Sequence, residues 1–378
     1  MSGIYIHIPF CKQACHYCDF HFSTSLGKKE AMVTALQREL SLRKVAFLEE
    51  QVQTIYFGGG TPSVLHSHEI IALIDAVHEH YHVVSDPEIT LEANPDDLSA
   101  EKIKELADSP VNRLSIGIQS FFDDDLALMN RAHTAKEAES SLAEAIRYFD
   151  NISIDLIYGM PYMDNSRWER NIQKALVFGV PHISSYALTV EPKTALKKFM
   201  DKGLVPRVDD AIAQEHFFIL SELLAQEGFE NYEISNFGKP GYFSKNNTAY
   251  WKGKKYIGIG PSAHSYDGAT RGWNIANNTK YINAIMGDTL PMEMETLSLT
   301  DRYNEYIMTG LRTIWGVSLD RVRTEFGMRY HDYLMQRSQR YLEERLLYLD
   351  GEVLLVSKKG KFLSDGIASD LFLLNLDS

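Results

Sequence analysis

Tyr5-Ile6-His7-Ile8-Pro9-Phe10-Cys11-Lys12-Gln13-Ala14-Cys15-His16-Tyr17-Cys18-Asp19-Phe20 holds all three cysteines of the 378-residue chain, spaced C-x3-C-x2-C. The apolar, β-branched residues Ile4, Tyr5, Ile6 and Ile8 read as a strand, which Pro9 stops. Three thiols on the loop leaving a strand suggest a metal site one protein ligand short. Thiolates are the preferred ligands of iron–sulfur clusters and of zinc. A [4Fe–4S] cube has four irons, so three cysteines leave one iron open. A structural zinc site needs a fourth protein ligand, which His16, His21 or Asp19 could supply. A disulfide fits poorly, because the count is odd and no secretory signal precedes it.

Outward from this loop, the chain alternates helical and extended patterns. Lys28–Leu48 carries Met32, Ala35, Leu36, Leu40 and Val45 at helical spacing. Strands are expected at Thr54–Phe57, Glu88–Glu92, Arg113–Gly117, Ile152–Ile157 and His182–Leu188. Helices fall between them at 67–80, from Ser99, at 123–129, 135–148 and 166–177. Six strands alternating with helices predict an α/β fold with a parallel sheet and right-handed crossovers. An open, partial (β/α)6 TIM-like barrel fits, and so does a doubly wound sheet.

Beyond Ala195 the texture changes. A long helix is expected at Asp209–Glu227, then a Gly-, Asn- and aromatic-rich stretch at 232–266, and a helix at Asn277–Met286. Helices at 299–314 and 330–347 precede Val353–Val356 and Lys361–Leu363, expected to pair across Lys358-Lys359-Gly360 as a hairpin. That order resembles a winged helix, an α+β appendage. The expected organisation is 1–195 as the barrel, 196–295 as its extension and connecting loops, and 296–378 as the winged-helix-like domain.

With 44% hydrophobic and 24% charged residues the composition is that of an ordinary globular protein. A net charge of −13 argues against nucleic acid as a partner. No apolar run approaches the roughly 20 residues of a membrane span, and Met1-Ser2-Gly3-Ile4 enters a strand without a signal sequence. Three clustered thiols and no others suit a reducing compartment, so the expected location is cytoplasmic.

In parallel αβ folds ligands sit at the carboxyl ends of the strands. Unusual polar residues collect at that level in successive units. The cysteines follow the first strand and Gly58-Gly59-Gly60-Thr61-Pro62 the second. Glu92 ends the third, Gln119 and Ser120 follow the fourth, and Asp155 lies in the fifth. A glycine run lets a ligand approach the backbone and take hydrogen bonds from its N–H groups. No Gly-Lys-Ser/Thr follows, so it is not a P-loop. Asp155, between Ile154 and Leu156, is a carboxylate where burial is costly without a partner, such as a lysine or a ligand.

C-x3-C-x2-C with Tyr17 before the last cysteine resembles the signature of radical S-adenosylmethionine (SAM) proteins. Tyr5-Ile6-His7-Ile8-Pro9-Phe10-Cys11 is similar to the branch holding the oxygen-independent coproporphyrinogen III oxidases and the HemW-type heme chaperones. The resemblance implies a radical SAM barrel and a [4Fe–4S] cluster on Cys11, Cys15 and Cys18. It also implies SAM on the open iron, reductive cleavage to a 5′-deoxyadenosyl radical, and a one-electron donor such as flavodoxin or ferredoxin. It places Gly59, Gly60 and Thr61 at the SAM amino group and Glu92 at the ribose or amino group. Arg131 falls at the SAM carboxylate, where a planar guanidinium can bind bidentately. Gln119, in N-R-L-S-I-G-I-Q-S-F, matches a family motif, and the resemblance makes Asp155 a SAM contact. It sets Tyr5, otherwise a core aromatic, near the sulfonium, and Tyr17 against the adenine or over the cluster.

Within that branch the oxidases extend the array to C-x3-C-x2-C-x-C, and Phe20 occupies the last position here. They also carry an extra N-terminal segment, whereas this chain reaches its strand at residue 4. Both departures favour a heme chaperone, with heme or porphyrin as cargo and a heme-acceptor protein as partner. That subgroup carries an H-N-x-x-Y-W motif bearing on heme binding, and the corresponding stretch here is Asn246-Asn247-Thr248-Ala249-Tyr250-Trp251, with Asn246 in place of the histidine. A carboxamide cannot replace imidazole as an axial ligand of heme iron. His264, in P-S-A-H-S-Y, is the nearby alternative, expected instead to be hydrogen-bonded within the core. Two other readings are radical oxidative decarboxylation of a porphyrinogen and a non-catalytic zinc-knuckle adaptor.

Overall fold

The structure is a computed structural model and describes residues 2–47 and 50–374. The expected helix end at Leu48 and the last four residues lie outside that range. Six strands form consecutive parallel neighbours: β1 (Ser2–Ile8), β2 (Val52–Gly59), β3 (Val83–Ala93), β4 (Arg113–Gln119), β5 (Ile152–Tyr158) and β6 (His182–Ala187). Because the spatial order follows the chain order without reversal, the sheet has no switch point of the doubly wound kind. The fold is the open (β/α)6 partial barrel. β4 is buried along its whole length, as a parallel strand covered on both faces must be. The covering helices present apolar stripes, such as Ile70, Leu73, Ile74 and Val77 on Ser67–His80 and Trp168, Ile172 and Ala175 on Asn165–Val177.

Residues 196–295 lengthen the same sheet at both ends. β7 (Glu230–Asn231) and β8 (Asn236–Gly238) add antiparallel beyond β6. β9 (Lys255–Ile259) pairs parallel with β1. β10 (His264–Tyr266), β11 (Thr270–Asn274) and β12 (Met292–Thr296) continue antiparallel, giving 12 strands in all.

A fully buried carboxylate staples this extension to the barrel. Glu39, on the helix Lys29–Arg43, accepts from the Gly260 N–H at 2.8 Å, the Asn274 amide at 2.8 Å and the Tyr281 hydroxyl. One turn on, Arg43 donates to the Gly258 carbonyl at 2.6 Å and Ser265 Oγ at 3.0 Å, and lies 3.4 Å from Glu39. Burial pushes the Glu39 carboxyl up, while Arg43 and the three donors pull it back.

The C-terminal region has its own core around Tyr303, Ile307, Leu334 and Leu354. The helix Leu299–Leu311 leads to β13 (Val317–Ser318), then to the helix Met328–Glu343, β14 (Leu347–Asp350) and β15 (Val353–Val356). The sheet order is β13-β15-β14, a winged-helix arrangement. The expected hairpin is placed differently: β15 pairs with β14, through Leu347↔Val356 and Asp350↔Val353. Gly351, at φ 57, makes the tight turn between them. Lys361–Leu363 is instead a short 3₁₀ turn. The sequence expectation overlooked Asp350-Gly351 as the hairpin signal.

Glu39→Ala should leave Arg43 buried and uncompensated. It should cost about 3 kcal/mol of stability, read as a lower urea midpoint for the full chain.

Candidate cofactor site

The cysteine loop is held by hydrogen bonds to a turn after β4. The His16 N–H donates to the Met129 carbonyl at 3.0 Å, and His16 Nδ1 lies 2.9 Å from the Leu128 carbonyl. The Gln13 amide donates to the Asn130 carbonyl at 2.9 Å, and the Asn130 amide returns a bond to the Ala14 carbonyl at 2.8 Å. Asn130 itself takes φ 56, a left-handed conformation that asparagine tolerates better than most residues. On the other side the Cys11 N–H reaches the Ser23 carbonyl at 3.1 Å.

This clamp brings Arg131 to the thiols. Its guanidinium donates to Cys15 Sγ at 3.3 Å, Asn94 Oδ1 at 2.6 Å and the Gly117 carbonyl at 2.9 Å. Its Nε is buried with no hydrogen-bond partner among the described residues. Three of the five N–H bonds are thus engaged inside the protein, and the Nε–H and the second Nη1–H remain for a carboxylate. Asn94 and Gly117 were not singled out in the sequence. The Asn94 amide also donates to Thr61 Oγ1 at 3.2 Å, tying Arg131 to the glycine turn. A Cβ on Gly117 would stand 2.8 Å from the Gln119 amide, 3.2 Å from Asn94 and 3.3 Å from Arg131. Asn94 before Pro95, and a glycine inside a buried strand, were the available signals.

The glycine turn corrects the expected role of its N–H groups. Gly60 and Thr61 donate theirs to the Ile8 and Phe10 carbonyls at 2.9 and 2.7 Å, and the Gly59 N–H bonds Glu92. The Gly59, Gly60 and Thr61 N–H groups are thus taken, and the Thr61 hydroxyl, which accepts from Asn94 and bonds Cys11, is the polar side-chain group of the turn on the chamber wall. Gly60 is required by packing, since a Cβ would lie 2.6 Å from the Phe10 carbonyl.

Cys11, Cys15, Tyr17, Cys18, Gly59, Gly60, Thr61, Glu92, Gln119, Arg131 and Asp155 all line one chamber of about 630 Å³. Gln119 reaches it from a left-handed backbone, φ 66, where the β4–β5 register slips. Ser120 does not: it is buried behind the strand on Asp125 and Asn171. Tyr5 lies elsewhere. It stacks on Tyr56 and lines an adjoining chamber of about 620 Å³. Glu92, Tyr186 and Phe20 border both.

Burial pushes the Glu92 carboxyl up to about 7, against the Tyr56 hydroxyl bound to it at 2.8 Å, and nearby Asp155 adds to the rise. Burial likewise pushes Asp155 up to about 6, against a Ser184 hydrogen bond and the guanidiniums of Arg113 and Arg131. The partners of Asp155 are thus arginines and a serine, not a lysine. Arg113, 2% exposed at the start of β4, does not line the chamber but acts on it through its charge near Asp155 and Glu92, a role that sequence reading passed over.

The second chamber is lined by Asn246, Asn247, Tyr250, Trp251 and His264. Asn246 and its neighbours form the short helix Lys245–Trp251, capped by buried Glu88. That carboxylate accepts from the Lys245 and Asn246 N–H groups at 3.0 and 3.1 Å. The Asn246 side-chain oxygen accepts from Thr54 Oγ1 at 3.1 Å. His264 is exposed, and neither ring nitrogen has a hydrogen bond among the described residues, contrary to the core position expected.

The donor set fits a cluster better than a single ion. Burial pushes the Cys11 thiol up to about 11 and raises that of Cys18, so the ionised thiols that a metal needs require positive charge in the chamber. Among the described residues no three His, Cys, Asp or Glu side chains converge on one ion site. Of the candidate fourth ligands, His16 turns to the Leu128 carbonyl and His21 to Asn278, and Asp19 alone lines the chamber.

Because Glu92 and Asp155 hold protons more tightly folded than unfolded, their share of stability is lost as pH rises from about 4.5 toward 7. Glu92→Gln should flatten that loss, measured as urea midpoints between pH 5 and pH 8. Gly117→Ala should displace Arg131 or Gln119 and lower the chain's capacity for reconstituted iron, with circular dichroism unchanged.

Residues 5–175 match the Radical SAM superfamily and residues 297–363 the HemN C-terminal domain. The chain is 35% identical over 374 residues to the heme chaperone HemW of Bacillus subtilis (strain 168), covering 97% of this chain and 98% of that one. It is 33% identical over 375 residues to HemW of Mycobacterium tuberculosis (strain ATCC 25618 / H37Rv), covering 98% and 94%. In three dimensions it resembles coproporphyrinogen III oxidase (HemN) from Escherichia coli, with a TM-score of 0.85 at 21% identity, over 98% of this chain and 90% of that one. The fold is therefore shared with an oxidase, while full-length sequence similarity places the chain in the HemW family of the radical SAM superfamily.

Proposed function

We propose that this protein binds heme and passes it to an acceptor protein, carrying a [4Fe–4S] cluster on Cys11, Cys15 and Cys18 with SAM beside it. The observation that carries the reading is the pairing of two chambers, one lined by the three thiols and the other by Tyr250 and Trp251, with Glu92, Tyr186 and Phe20 on both. The bound cluster would supply one-electron chemistry at an iron that no cysteine occupies. Arg131 keeps positive charge against Cys15 and offers its Nε to a carboxylate. The glycine-turn carbonyls and Thr61 accept from an amino group. Glu92 and Asp155 accept from ribose hydroxyls, Gln119 lines the same wall, and Tyr17 covers the thiols. Phe20, 69% exposed where the oxidases have a further cysteine, offers no ligand and presents an apolar ring to the cargo chamber.

Residues 1–195 then carry cluster and SAM, 196–295 supply the cargo wall, and 296–378 form a module available to partners, among them a flavodoxin- or ferredoxin-like electron donor. Among the described residues no helix is long and apolar enough to cross a membrane. Three free thiols suit a reducing compartment such as the cytoplasm.

Cluster-reconstituted protein, reduced anaerobically with SAM and coproporphyrinogen III, should yield no decarboxylated porphyrin while binding heme in stoichiometric amount. Porphyrin product in excess over protein would make it an oxidase. Cys15→Ser should abolish the cluster absorbance, and a retained cluster would overturn the ligand set.

A further inference from the structure

The heme-binding reading leaves one chemical question open within this chain, namely what holds the iron. The family histidine is Asn246 here, and its environment gives it other work. Its side-chain oxygen is bound to Thr54 and its N–H is fixed by Glu88, at the capped end of a short helix. An amide is in any case a poor ligand for heme iron.

Three histidines line the second chamber: His7, His21 and His264. His7 is 6% exposed and both its nitrogens are engaged, Nδ1 with the Tyr5 hydroxyl at 3.2 Å and Nε2 with the His21 carbonyl at 3.0 Å. His21 stacks on His7 and donates its Nε2–H to Asn278 Oδ1 at 2.8 Å, which leaves the Nδ1 lone pair and makes it the competing ligand, on a ring held by two neighbours. His264 differs from both. It has no hydrogen bond at either nitrogen among the described residues, and its ring rests against the indole of Trp273, 6.0 Å between centroids.

Its backbone is nonetheless rigidly placed. His264 pairs with Trp273 across β10 and β11. The next residue, Ser265, is buried, and its hydroxyl accepts from Arg43 and from the Gly258 N–H, both at 3.0 Å. Because side chains alternate along a strand, anchoring Ser265 inward turns His264 to the other face. A Cβ at Gly258 would come within 2.0 Å of the His264 carbonyl, so the two backbones are in close contact. The result is a fixed strand presenting a free imidazole to a chamber walled by Tyr250 and Trp251. Ligation needs a nitrogen lone pair that no internal hydrogen bond has claimed, and an aromatic wall suits a flat macrocycle.

We infer that His264 is the axial ligand of the heme iron in the chamber bordered by Tyr250 and Trp251. This rests on the heme-binding reading above and takes the place that the family motif gives to residue 246.

The test compares ferric heme with metal-free protoporphyrin IX on the full-length chain, followed by the Soret band and electron paramagnetic resonance. His264→Ala should change the spin state of bound heme and weaken its binding about tenfold or more, the scale on which even second partners of metal ligands act. Binding of the metal-free porphyrin should stay as in wild type, and added imidazole should restore the wild-type spectrum. His78→Ala, exposed on the helix Ser67–His80 and outside both chambers, should change neither, and a changed spin state in His21→Ala instead of His264→Ala would overturn the assignment. If wild type binds heme and His264→Ala leaves its spectrum intact, the ligand assignment is overturned while the heme reading survives. Equal loss of both porphyrins in His264→Ala and His264→Gln also overturns it, by showing a structural role. If wild type binds no heme, both readings fall.

Discussion

The candidate site depends on the docking of the cysteine loop onto the turn at 128–131. Four hydrogen bonds, given and received by Gln13, Ala14, His16 and Asn130, join a loop after β1 to a loop after β4. Neither segment has regular structure to hold it, so each supplies the other's partners. The same docking sets Arg131 against Cys15. Everything downstream follows from that placement: Asn94 is drawn to the guanidinium, Thr61 to Asn94, and the glycine turn to Thr61.

The rim is electrostatically tense. Glu92, Asp155 and three thiols share a partly buried space in which Arg131 and Arg113 are the nearby cations. Such a set is costly on its own and eased by a cationic guest, which is how binding sites commonly differ from packed cores. The Glu39 cluster shows the opposite design. There a fully buried carboxylate has a donor for each oxygen and a guanidinium one turn away, and it stabilises rather than waits.

Much of this was legible in the sequence. The strand-closing Pro9, the apolar strands and the helical spacings give the barrel, and the rim residues follow from strand ends. Tyr5 was placed near the sulfonium by the resemblance alone, and its ring lies in the adjoining chamber, which shares Glu92 with the thiol chamber. The N–H groups of the glycine turn were misjudged because sequence cannot show that Ile8 and Phe10 already accept from them. Asn94 was invisible for a related reason: its value lies in joining two loops far apart in the chain. His264 looked like a core residue by composition, and only strand register shows that Ser265 turns inward instead.

The parallel pairing of β9 with β1 has a consequence for synthesis. β1 is made before both of its partner strands, carrying the thiols directly behind it, and Ile4 finds one neighbour in Ile55 but the other only in Ile257. Until two-thirds of the chain has been made, the strand bearing the cysteines has an open edge. The nascent thiols therefore pass through a long interval in which the sheet beneath them is incomplete.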